Sequence, residues 1–314
     1  MANNTVSIIL PIRNEEKYIK QCLDSILSQN YKFIELFIVD GMSTDSTREL
    51  LIPYLKKHQN IILLDNPQKI TPVALNMGIK KATGDIVIRM DGHATYQFDY
   101  VSKCVEFLDS TQAANVGGIR LHKGFGFLGN AVSFAETCIF GLGGAKFRTA
   151  QKSQFVDTVF LGAWFRKTFD IYGYFNEKLE RNQDIEFNAR IRKNGGKIFL
   201  TPEIVATYYV RSNLWNLFKQ NFRNGLWNIK TMNALSIRHF VPLIFVLSLM
   251  ITYFIMPILW ITILTSYILC SLFFSFKISV ENGFKYFFIM PIIFAVLHIS
   301  YGLGMLTGMF RGKL

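Results

Sequence analysis

Two long stretches without a charged residue dominate the C-terminal part of the chain. They run from Val241 to Phe276 and from Tyr286 to Phe310, which is 36 and 25 residues. A helix that spans a bilayer needs about 20 predominantly apolar residues. The second stretch fits one span, and the first fits two short spans with a break near Pro257. Because core helices of soluble proteins rarely run this far without a charge, we predict about three membrane spans.

The charge distribution points to a membrane surface as the partner of this chain. The formal net charge of +12 would suit either a nucleic acid or anionic lipid. No acidic residue lies between Glu203 and Glu281, whereas several basic residues precede the first apolar stretch. Such a segment is attracted to anionic lipid and marks the cytoplasmic side of a span. We therefore expect a multi-pass protein of the cell membrane with a cytoplasmic N-terminal domain, and no nucleic-acid partner. The basic residues are Arg211, Lys219, Arg223, Lys230 and Arg238.

The charges near the C-terminus do not fit a simple three-span topology. With two spans in the first stretch, a loop from Lys277 to Lys285 returns to the cytoplasm. The last span then leaves Arg311 and Lys313 outside, against the positive-inside rule. A re-entrant or interfacial segment would resolve this conflict.

The first 120 residues alternate strand and helix patterns, which predicts a mostly parallel sheet covered on both faces. Continuous apolar runs typical of buried parallel strands occur at Val6–Leu10, Leu36–Val39, Ile61–Leu64 and Ile86–Met90. Helices are predicted from about Glu15 to Ser28, from a capping box formed by Ser46 and Glu49, and from Thr71-Pro72 to about Lys81.

The second half of this domain has weaker patterns. Residues 120–154 are rich in glycine, which favours loops that move or approach a ligand closely. A helix is predicted after Asp184 with its end at residues 193–196, followed by strands around Ile198 and from Val205 to Val210. Leu214 to Lys230 is amphipathic, with an apolar stripe of Trp215, Phe218, Phe222, Leu226 and Ile229. This pattern suits a helix in the headgroup layer, although a packed internal helix would give a similar stripe.

These observations divide the chain into three regions. Residues 1–210 form an α/β domain, residues 211–240 an interfacial helix region, and residues 241–310 the transmembrane region. In open parallel sheets, ligands bind at the carboxyl ends of the strands. Polar residues follow three of the predicted strands, in the segments PIRNEE from Pro11, DGMSTD from Asp40 and DGH from Asp91. Three polar strand ends together indicate a ligand site at this edge.

The sequence resembles glycosyltransferase family 2, whose members have the GT-A fold, a Rossmann-like and mostly parallel sheet with helices on both faces. The resemblance is carried by VSIILPIRNEE, IVDGMSTDST, ALNMGIKKATGD and IRMDGHA, and it covers nearly the whole chain. The RMDGHA form, together with VGG, VDTVFLG and HISYGLG, is most similar to the succinoglycan-biosynthesis (ExoA-like) branch of the family.

The resemblance assigns donor-binding roles to the strand-end residues. Pro11, Arg13 and Glu15 match the family's nucleotide-cradling loop. Asp40 matches the residue that binds the nucleobase, and a carboxylate can accept the N–H of a uracil ring.

Asp91 and His93 match the family's D-x-D motif, with His93 in place of the second Asp. A divalent metal there stabilises the charge that builds up on a diphosphate leaving group. Imidazole favours Mn²⁺ over Mg²⁺, so Mn²⁺ is the first expectation for this cofactor. A turn or helix cap would be the ordinary structural role of these two residues.

The resemblance also suggests residues for the acceptor side of the reaction. Asp184 matches the family's general base, which takes the proton of the attacking hydroxyl, although Gln183 stands where the family usually has Glu. An ordinary helix N-cap is the alternative role for Asp184. We expect Asp157 and Arg166 near the sugar. Gln220, Arg223 and Trp227 are similar to the Q-x-x-R-W element of membrane-bound members, but Trp227 is displaced from its usual place, and a plain interfacial helix is an equal alternative.

Together these features predict an inverting enzyme that transfers a hexose from a nucleotide sugar, UDP-glucose or a similar donor, to a lipid-linked saccharide at the cytoplasmic membrane face. By analogy with the branch, the pathway would be exopolysaccharide or capsule synthesis. A processive polysaccharide synthase and a non-catalytic transferase-fold scaffold stay open as alternatives. A nucleotidyltransferase would carry a Gly-rich phosphate loop after the first strand, and residues 11–16 contain no glycine.

Overall fold

The computed structural model describes residues 4–144, 146–210 and 212–310. The chain divides into two compact units. The first, which we call the catalytic unit, comprises Met1–Leu121 and Lys146–Tyr208. The second, the helical unit, comprises His122–Ala145 and Tyr209–Leu314. The segment 122–145 therefore belongs with the C-terminal helices, although in sequence it lies in the middle of the predicted 1–210 domain.

The described residues contain nine strands and thirteen α-helices. The strands are β1 Val6–Ile12, β2 Ile34–Asp40, β3 Ile61–Asp65, β4 Ile86–Arg89, β5 Ala94–Tyr96, β6 Asn115–Lys123, β7 Gln154–Phe155, β8 Phe160–Phe165 and β9 Ile198–Tyr209. The helices are α1 Ile19–Leu27, α2 Thr47–Lys57, α3 Thr71–Lys81, α4 Tyr100–Thr111, α5 Gly126–Thr137, α6 Ile139–Leu142, α7 Lys146–Thr149, α8 Lys167–Tyr172, α9 Gln183–Lys193, α10 Leu214–Asn228, α11 Val241–Ile255, α12 Pro257–Asn282 and α13 Met290–Phe310.

One mixed sheet organises the catalytic unit, in the order β3-β2-β1-β4-β8-β6-β9-β5, with β7 paired to β9. β3, β2, β1 and β4 are parallel, as the strand–helix alternation predicts. β8 pairs antiparallel to β4 and to β6, and β5 and β7 pair antiparallel to β9. The GT-A-type fold class is confirmed, and the parallel half of its sheet comes from the part of the sequence with the clearest alternation.

Both faces of this sheet are buried, which explains the continuous apolar runs. Along β1, Ile8 and Leu10 pack into one core with α1 and α4 residues. Ile9, which points the other way, packs into a second core with Ala74 of α3 and Phe187 of α9. Successive strand side chains point to opposite faces, so a strand covered on both sides needs apolar residues at every position.

Glu35 fixes the amino-terminal edge of the sheet. Its carboxylate accepts hydrogen bonds from the Ser7 hydroxyl at 2.5 Å and from the backbone N–H groups of Thr83 and Gly84 at 2.7 and 3.1 Å. Burial alone would raise the pKa of Glu35, but these hydrogen bonds outweigh it and lower the pKa below its usual value. The carboxylate thus ties the start of β2 to β1 and to the turn before β4.

Three predicted local features differ in the structure. α1 begins at Ile19 rather than near Glu15, because the preceding residues form turns. Ser46 precedes α2, but its side chain makes no capping hydrogen bond within the described residues, and Asp45 instead accepts from the N–H of Thr47 at 3.0 Å. The two strands predicted around Ile198 and Val205–Val210 are one continuous strand, β9.

The glycine-rich middle region was expected to form loops, and this expectation is wrong for much of it. Residues 126–142 form α5 and α6. The glycines serve close packing of the chain on itself, since a side chain on Gly124 would overlap the backbone of Gly129, and one on Gly141 would overlap the carbonyl of Ala135.

The C-terminal apolar stretches are helical, and the break falls where Pro257 predicts it. α11 ends at Ile255, Met256 has non-helical backbone angles, and Pro257 begins α12. In the described part of the chain, α12 and α13 are long and apolar enough to cross a membrane, whereas α11 is a shorter apolar helix. At 1.5 Å per residue its 15 residues reach about 22 Å, less than the ~30 Å hydrocarbon core.

Most of the loop predicted after Phe276 is helical instead. α12 continues through Lys277 to Asn282 and ends at Gly283, whose φ of 112° suits only glycine well. Lysine, serine and glutamate are compatible with a helix, so the first charged residue after Phe276 does not mark the end of α12. Arg211, Arg311 and Lys313, which entered the topology argument, lie outside the described residues.

Glycines on both helices bring α10 and α13 close together, and the buried residues of α10 are not the aromatic residues of its predicted stripe. Its buried face consists of Leu217, Asn221, Gly225 and Asn228. A side chain on Gly225 would overlap the Tyr301 carbonyl, and glycines on α13 make room for the α10 backbone in the same way. Glycines at a helix interface allow this close approach. The aromatic side chains form a stacked row off this face, with Trp215, the most exposed, 61% accessible. One face of the amphipathic helix is therefore packed and another exposes its aromatic residues.

Candidate active site

The sheet order brings the polar strand ends together. β1 lies between β2 and β4, with Ile12 level with Asp40 and Ile9 level with Arg89. Because these strands are parallel, the segments that follow them meet at one edge of the sheet. Pro11 lies near the end of β1 beside Val39, and Arg13 follows it. The predicted ligand edge is thus assembled from residues far apart in sequence.

The loops after β1 and β2 are held together by side chain–backbone hydrogen bonds. The N–H groups of Asn14, Glu15 and Glu16 donate to side chains of the second loop, and the N–H groups of Thr44 and Ser46 donate to side chains of the first. Gly41 lies against the Arg13 side chain, where an added Cβ would come within 3.3 Å. This interlocking makes the two loops one rigid rim for a ligand. The second-loop acceptors are Ser43, Thr47 and Asp45, and the first-loop acceptors are Asn14 and Glu16.

Asp40 is fully buried under this rim. Its carboxylate accepts from the N–H and hydroxyl of Ser43 and forms an ion pair with Nε of Arg48 at 3.1 Å. Arg48 also pairs with Asp65. Because the carboxylate is fully buried, a ligand can reach it only after neighbouring side chains such as Arg48 or Ser43 move.

A buried arginine is paired with Asp91, one of the predicted metal ligands. Arg89, 9% exposed, donates to Oδ1 of Asp91 from Nε at 3.2 Å and Nη2 at 3.1 Å. Burial would lower the pKa of Arg89, but the carboxylates of Asp91 and Asp184 outweigh it and raise the pKa. Asp184 is thus part of the electrostatic environment of Arg89, whereas Asp91 is its hydrogen-bonded partner.

His93 is held by Glu15. Its Nδ1 lies 2.8 Å from Oε1 of Glu15, with side chains 25% and 15% exposed, and its ring meets Tyr208 edge-on at 4.9 Å. Gly92 makes room for this pair, because a Cβ there would come within 3.1 Å of the Glu15 side chain and 2.9 Å of Ile12. Glu15, predicted to cradle the nucleotide, contacts the predicted metal ligand.

Asp184 lies near the N-terminus of α9, and buried side-chain hydrogen bonds hold this helix in place. Asn188, one turn after Asp184, accepts from Asn115 of β6 at 2.7 Å and donates to Thr158 at 2.9 Å. The adjacent Phe187 is fully buried in the second core. Asn182, with φ of 62°, is the N-cap, and Asp184 accepts from the N–H of Ile185. Asp184 is thus not the cap of this helix.

Two other expectations can be checked against the geometry. Arg166 does not lie at the ligand edge, because β8 runs antiparallel to β4 and the Arg166 N–H donates to Asp85, which precedes β4. Its predicted place beside the sugar is therefore wrong, whereas Asp157 precedes β8 on the side of the ligand edge.

Gln220, Arg223 and Trp227 lie on α10 in the helical unit, off its buried face, with Lys230 over the Trp227 ring at 4.4 Å.

Sequence reasoning missed the residues that hold the site in place. Arg89 gave a usable signal, since an arginine inside an apolar strand pattern has to be paired when it is buried. Asn76 donates to the Phe175 carbonyl at 2.8 Å and accepts from its N–H at 3.0 Å, fixing the segment before α9. Asn76 and Asn188 resemble ordinary polar helix residues in sequence, and only the three-dimensional contacts reveal their roles.

The fold and this edge define a GT-A-type, nucleotide-sugar-dependent glycosyltransferase. The family model described as glycosyl transferase family 2 matches residues 7–170, and the chain belongs to that family.

Two curated relatives and one solved structure illustrate the similarity. The chain is 29% identical to a dolichyl N-acetyl-alpha-D-glucosaminyl phosphate 3-beta-D-2,3-diacetamido-2,3-dideoxy-beta-D-glucuronosyltransferase of Methanococcus voltae, over 99% of this chain and 98% of the relative. It is 31% identical to the succinoglycan biosynthesis protein ExoA of Rhizobium meliloti, over 69% of this chain and 67% of ExoA. The mannosyltransferase PcManGT from Pyrobaculum calidifontis, solved with GDP-Man and Mn²⁺, aligns with a TM-score of 0.63 at 16% identity, over 95% and 87% of the two chains.

Proposed function

We propose that this enzyme transfers a hexose, with inversion at the anomeric carbon, from a UDP-sugar such as UDP-glucose to a lipid-linked saccharide at the cytoplasmic face of the cell membrane. The observation that carries the proposal is a pair of contacts at one edge of the sheet, in which Arg89 holds Asp91 and Glu15 holds His93. These contacts support a donor site near the carboxyl ends of the neighbouring parallel strands β1 and β4.

Asp184 is the general base in this proposal. It takes the proton of the acceptor hydroxyl as that oxygen attacks the anomeric carbon. Its half-buried position near the start of α9, held through Asn188, suits a group that must keep a fixed orientation. A single base with direct attack gives inversion.

The chemistry of Asp91 and His93 fits a divalent metal, Mn²⁺ before Mg²⁺. Among the described residues, no group of three or more His, Cys, Asp or Glu side chains could hold a metal alone, so phosphate oxygens of the donor would have to complete the set. Asp91 would offer a carboxylate and His93 its Nε2, because Glu15 engages Nδ1. A histidine that binds a metal through one ring nitrogen usually donates the N–H of its other ring nitrogen to a carboxylate or a carbonyl. When bound, the metal would stabilise the charge of the departing diphosphate.

The donor and acceptor classes rest on different arguments. The family resemblance assigns Pro11, Arg13 and Asp40 to the nucleotide. Pro11 and Arg13 belong to the rim whose shape the interlocked loops fix, and Asp40 lies buried beneath it. The lipid-linked acceptor is supported by the name of the Methanococcus voltae relative and by the apolar helices, which would confine the enzyme to the bilayer that dissolves its acceptor. Exopolysaccharide synthesis is supported by the similarity to ExoA.

Purified Asp184→Asn protein tests the assignment of the base. Removing a general base is expected to lower transfer by about 10²–10⁴-fold, while calorimetric titration shows unchanged UDP binding. Asp91→Asn is the contrasting variant, because it should lose metal-dependent UDP binding together with transfer. The donor is found by screening UDP-glucose, UDP-galactose and their N-acetyl forms with membranes. Near-normal turnover of Asp184→Asn would remove the base from the proposal.

Product length separates single transfer from processive synthesis. A processive enzyme needs a channel for its polymer and generally carries more spans than the two long apolar helices described here. Single transfer predicts one added hexose per acceptor by mass spectrometry. A ladder of long products would favour the processive alternative.

A further inference from the structure

The segment from Gly126 to Leu142 lies beside the apolar helices of its own unit. α5 and α6 both pack on α13. Phe127 stacks on Tyr286 at 5.1 Å, in the turn between α12 and α13. Further along the segment, the Phe140 ring lies among aromatic residues of both helices. The segment thus extends from the turn between the two helices toward their middle.

The position of Phe140 sets the depth of the segment. Its ring stacks on Phe274 at 5.2 Å and meets His298 edge-on at 5.0 Å. Phe274 is eight residues from the end of α12, and His298 is eight residues from the start of α13. At 1.5 Å per residue both positions are about 12 Å from the helix ends at the shared turn. α13 has 21 residues without a charge and is about as long as the ~30 Å hydrocarbon core, so if it crosses the membrane, His298 and the Phe140 ring beside it lie inside that core.

Backbone polar groups at that depth need protein partners, because no water is present to bind them. His298 supplies one for the turn of the segment. Its Nε2 lies 2.8 Å from the Phe140 carbonyl and 3.1 Å from the Gly141 carbonyl. Both are acceptors, so Nε2 carries the proton, and Tyr267 donates its hydroxyl proton to Nδ1 at 2.9 Å.

The large exposed side chains of the segment are apolar, and the hydroxyl of the exposed Thr137 donates to the backbone of its own helix. Ile139 is 65% exposed and Phe127 46% exposed. Glu136 is the single charged residue in this segment, and its side chain is buried 3.6 Å from His122. An exposed apolar surface with its one charge turned inward suits lipid rather than water.

We propose that residues 126–142 form a re-entrant hairpin inserted in the bilayer, with His298 holding its turn and acyl chains covering Ile139. Its longest helix, α5, has 12 residues and is too short to span a membrane, and the chain enters the segment from β6 and leaves it through α7 to β7. It therefore enters and leaves on the same side. The inference rests on the proposed membrane anchoring of this enzyme, and it identifies a second lipid-contacting element, inside the sequence of the catalytic domain.

Fluorescence quenching of a single labelled cysteine tests this proposal in full-length protein reconstituted in phosphatidylcholine vesicles. Ile139→Cys is made in a background with Cys138→Ser and Cys270→Ser, since Cys22 and Cys104 are buried. The label is an environment-sensitive fluorophore. Its quenching is measured with brominated acyl chains and with aqueous iodide.

Two controls calibrate the result. Native Cys270, exposed on α12, reports the lipid environment when Cys138→Ser is the only change, and Lys20→Cys in the double-serine background reports water. We expect the label at 139 to lose fluorescence with brominated lipid as Cys270 does, and to resist iodide.

Quenching by iodide as strong as at Lys20→Cys, with Cys270 still quenched by lipid, would overturn the hairpin and leave the membrane anchoring intact. If Cys270 itself is quenched by iodide and not by lipid, the proposed anchoring fails, and the hairpin fails with it.

Discussion

The pair formed by Glu15 and His93 makes a quantitative prediction about metal binding. Glu15→Ala removes the carboxylate 2.8 Å from Nδ1 of His93. A hydrogen bond involving a charged group contributes about 1.5–3 kcal/mol. Both side chains are partly exposed, so the lower end applies, and about 1.4 kcal/mol corresponds to tenfold in affinity. Loss of such a partner from a metal-bound histidine typically costs 10–100-fold. We expect Mn²⁺ to bind roughly tenfold more weakly in the presence of UDP.

The assay is a titration of free Mn²⁺ by electron paramagnetic resonance, on detergent-purified protein with saturating UDP. Asp170→Ala is the control, because it removes an exposed carboxylate on α8, at the edge of the sheet opposite the ligand edge. Glu15→Gln should be milder than Glu15→Ala, since its amide oxygen can still accept from Nδ1. Equal Mn²⁺ affinity in the Glu15→Ala and Asp170→Ala proteins would refute the reasoning.

Restoring the family's second aspartate gives a sharper test of the same pair. In His93→Asp the introduced carboxylate faces Glu15, and two like charges disfavour each other at this distance. The single variant should bind Mn²⁺ more weakly than the double variant His93→Asp with Glu15→Gln. If the single variant binds as tightly as the double, Glu15 does not act through residue 93.

The remaining predictions concern stability and the support of α9. Gly225→Leu on α10 should lower the melting temperature in detergent by overlapping the Tyr301 carbonyl, whereas Lys219→Leu on the exposed face should not. Because the folded-state pKa of Glu35 is lowered, its contribution to stability is present above the unfolded value near 4.5 and is lost as pH falls through the folded value. Glu35→Gln should therefore flatten the acid side of the melting-temperature profile, and an unchanged slope would contradict this. Asn188→Ala leaves buried partners unsatisfied at a cost of about 1–3 kcal/mol, and it should reduce transfer more than UDP affinity, as measured by turnover and calorimetry.

The parallel half of the fold could be predicted because its information is local. Apolar runs such as Ile86–Met90 mark strands, and polar residues such as Asp40 and Asp91 mark their ends. The contacts that make the site are not local. Glu15 and His93 are far apart in sequence, as are Asn76 and Phe175, and no periodicity encodes such pairs. The direction of β8 could not be read either, and for that reason Arg166 was expected at the wrong edge.

The glycine-rich region shows a second limit. Glycine is equally compatible with a mobile loop and with tightly packed backbones, and the sequence around Gly124 and Gly141 does not distinguish them. The distinction depends on what the segment packs against, which here is α13, more than 150 residues later. The break at Pro257 was predictable because the ring of proline acts on its own helix.

The membership of residues 122–145 in the helical unit has a practical consequence for protein production. A fragment truncated after residue 210 removes α10 to α13 but keeps α5 and α6, whose partners Phe274, Phe294 and His298 are then missing. Such a fragment would present bare aromatic surface to water and would aggregate or bind detergent. To obtain a catalytic domain for crystallisation, residues 122–145 should be replaced by a short polar linker, in addition to shortening the C-terminus.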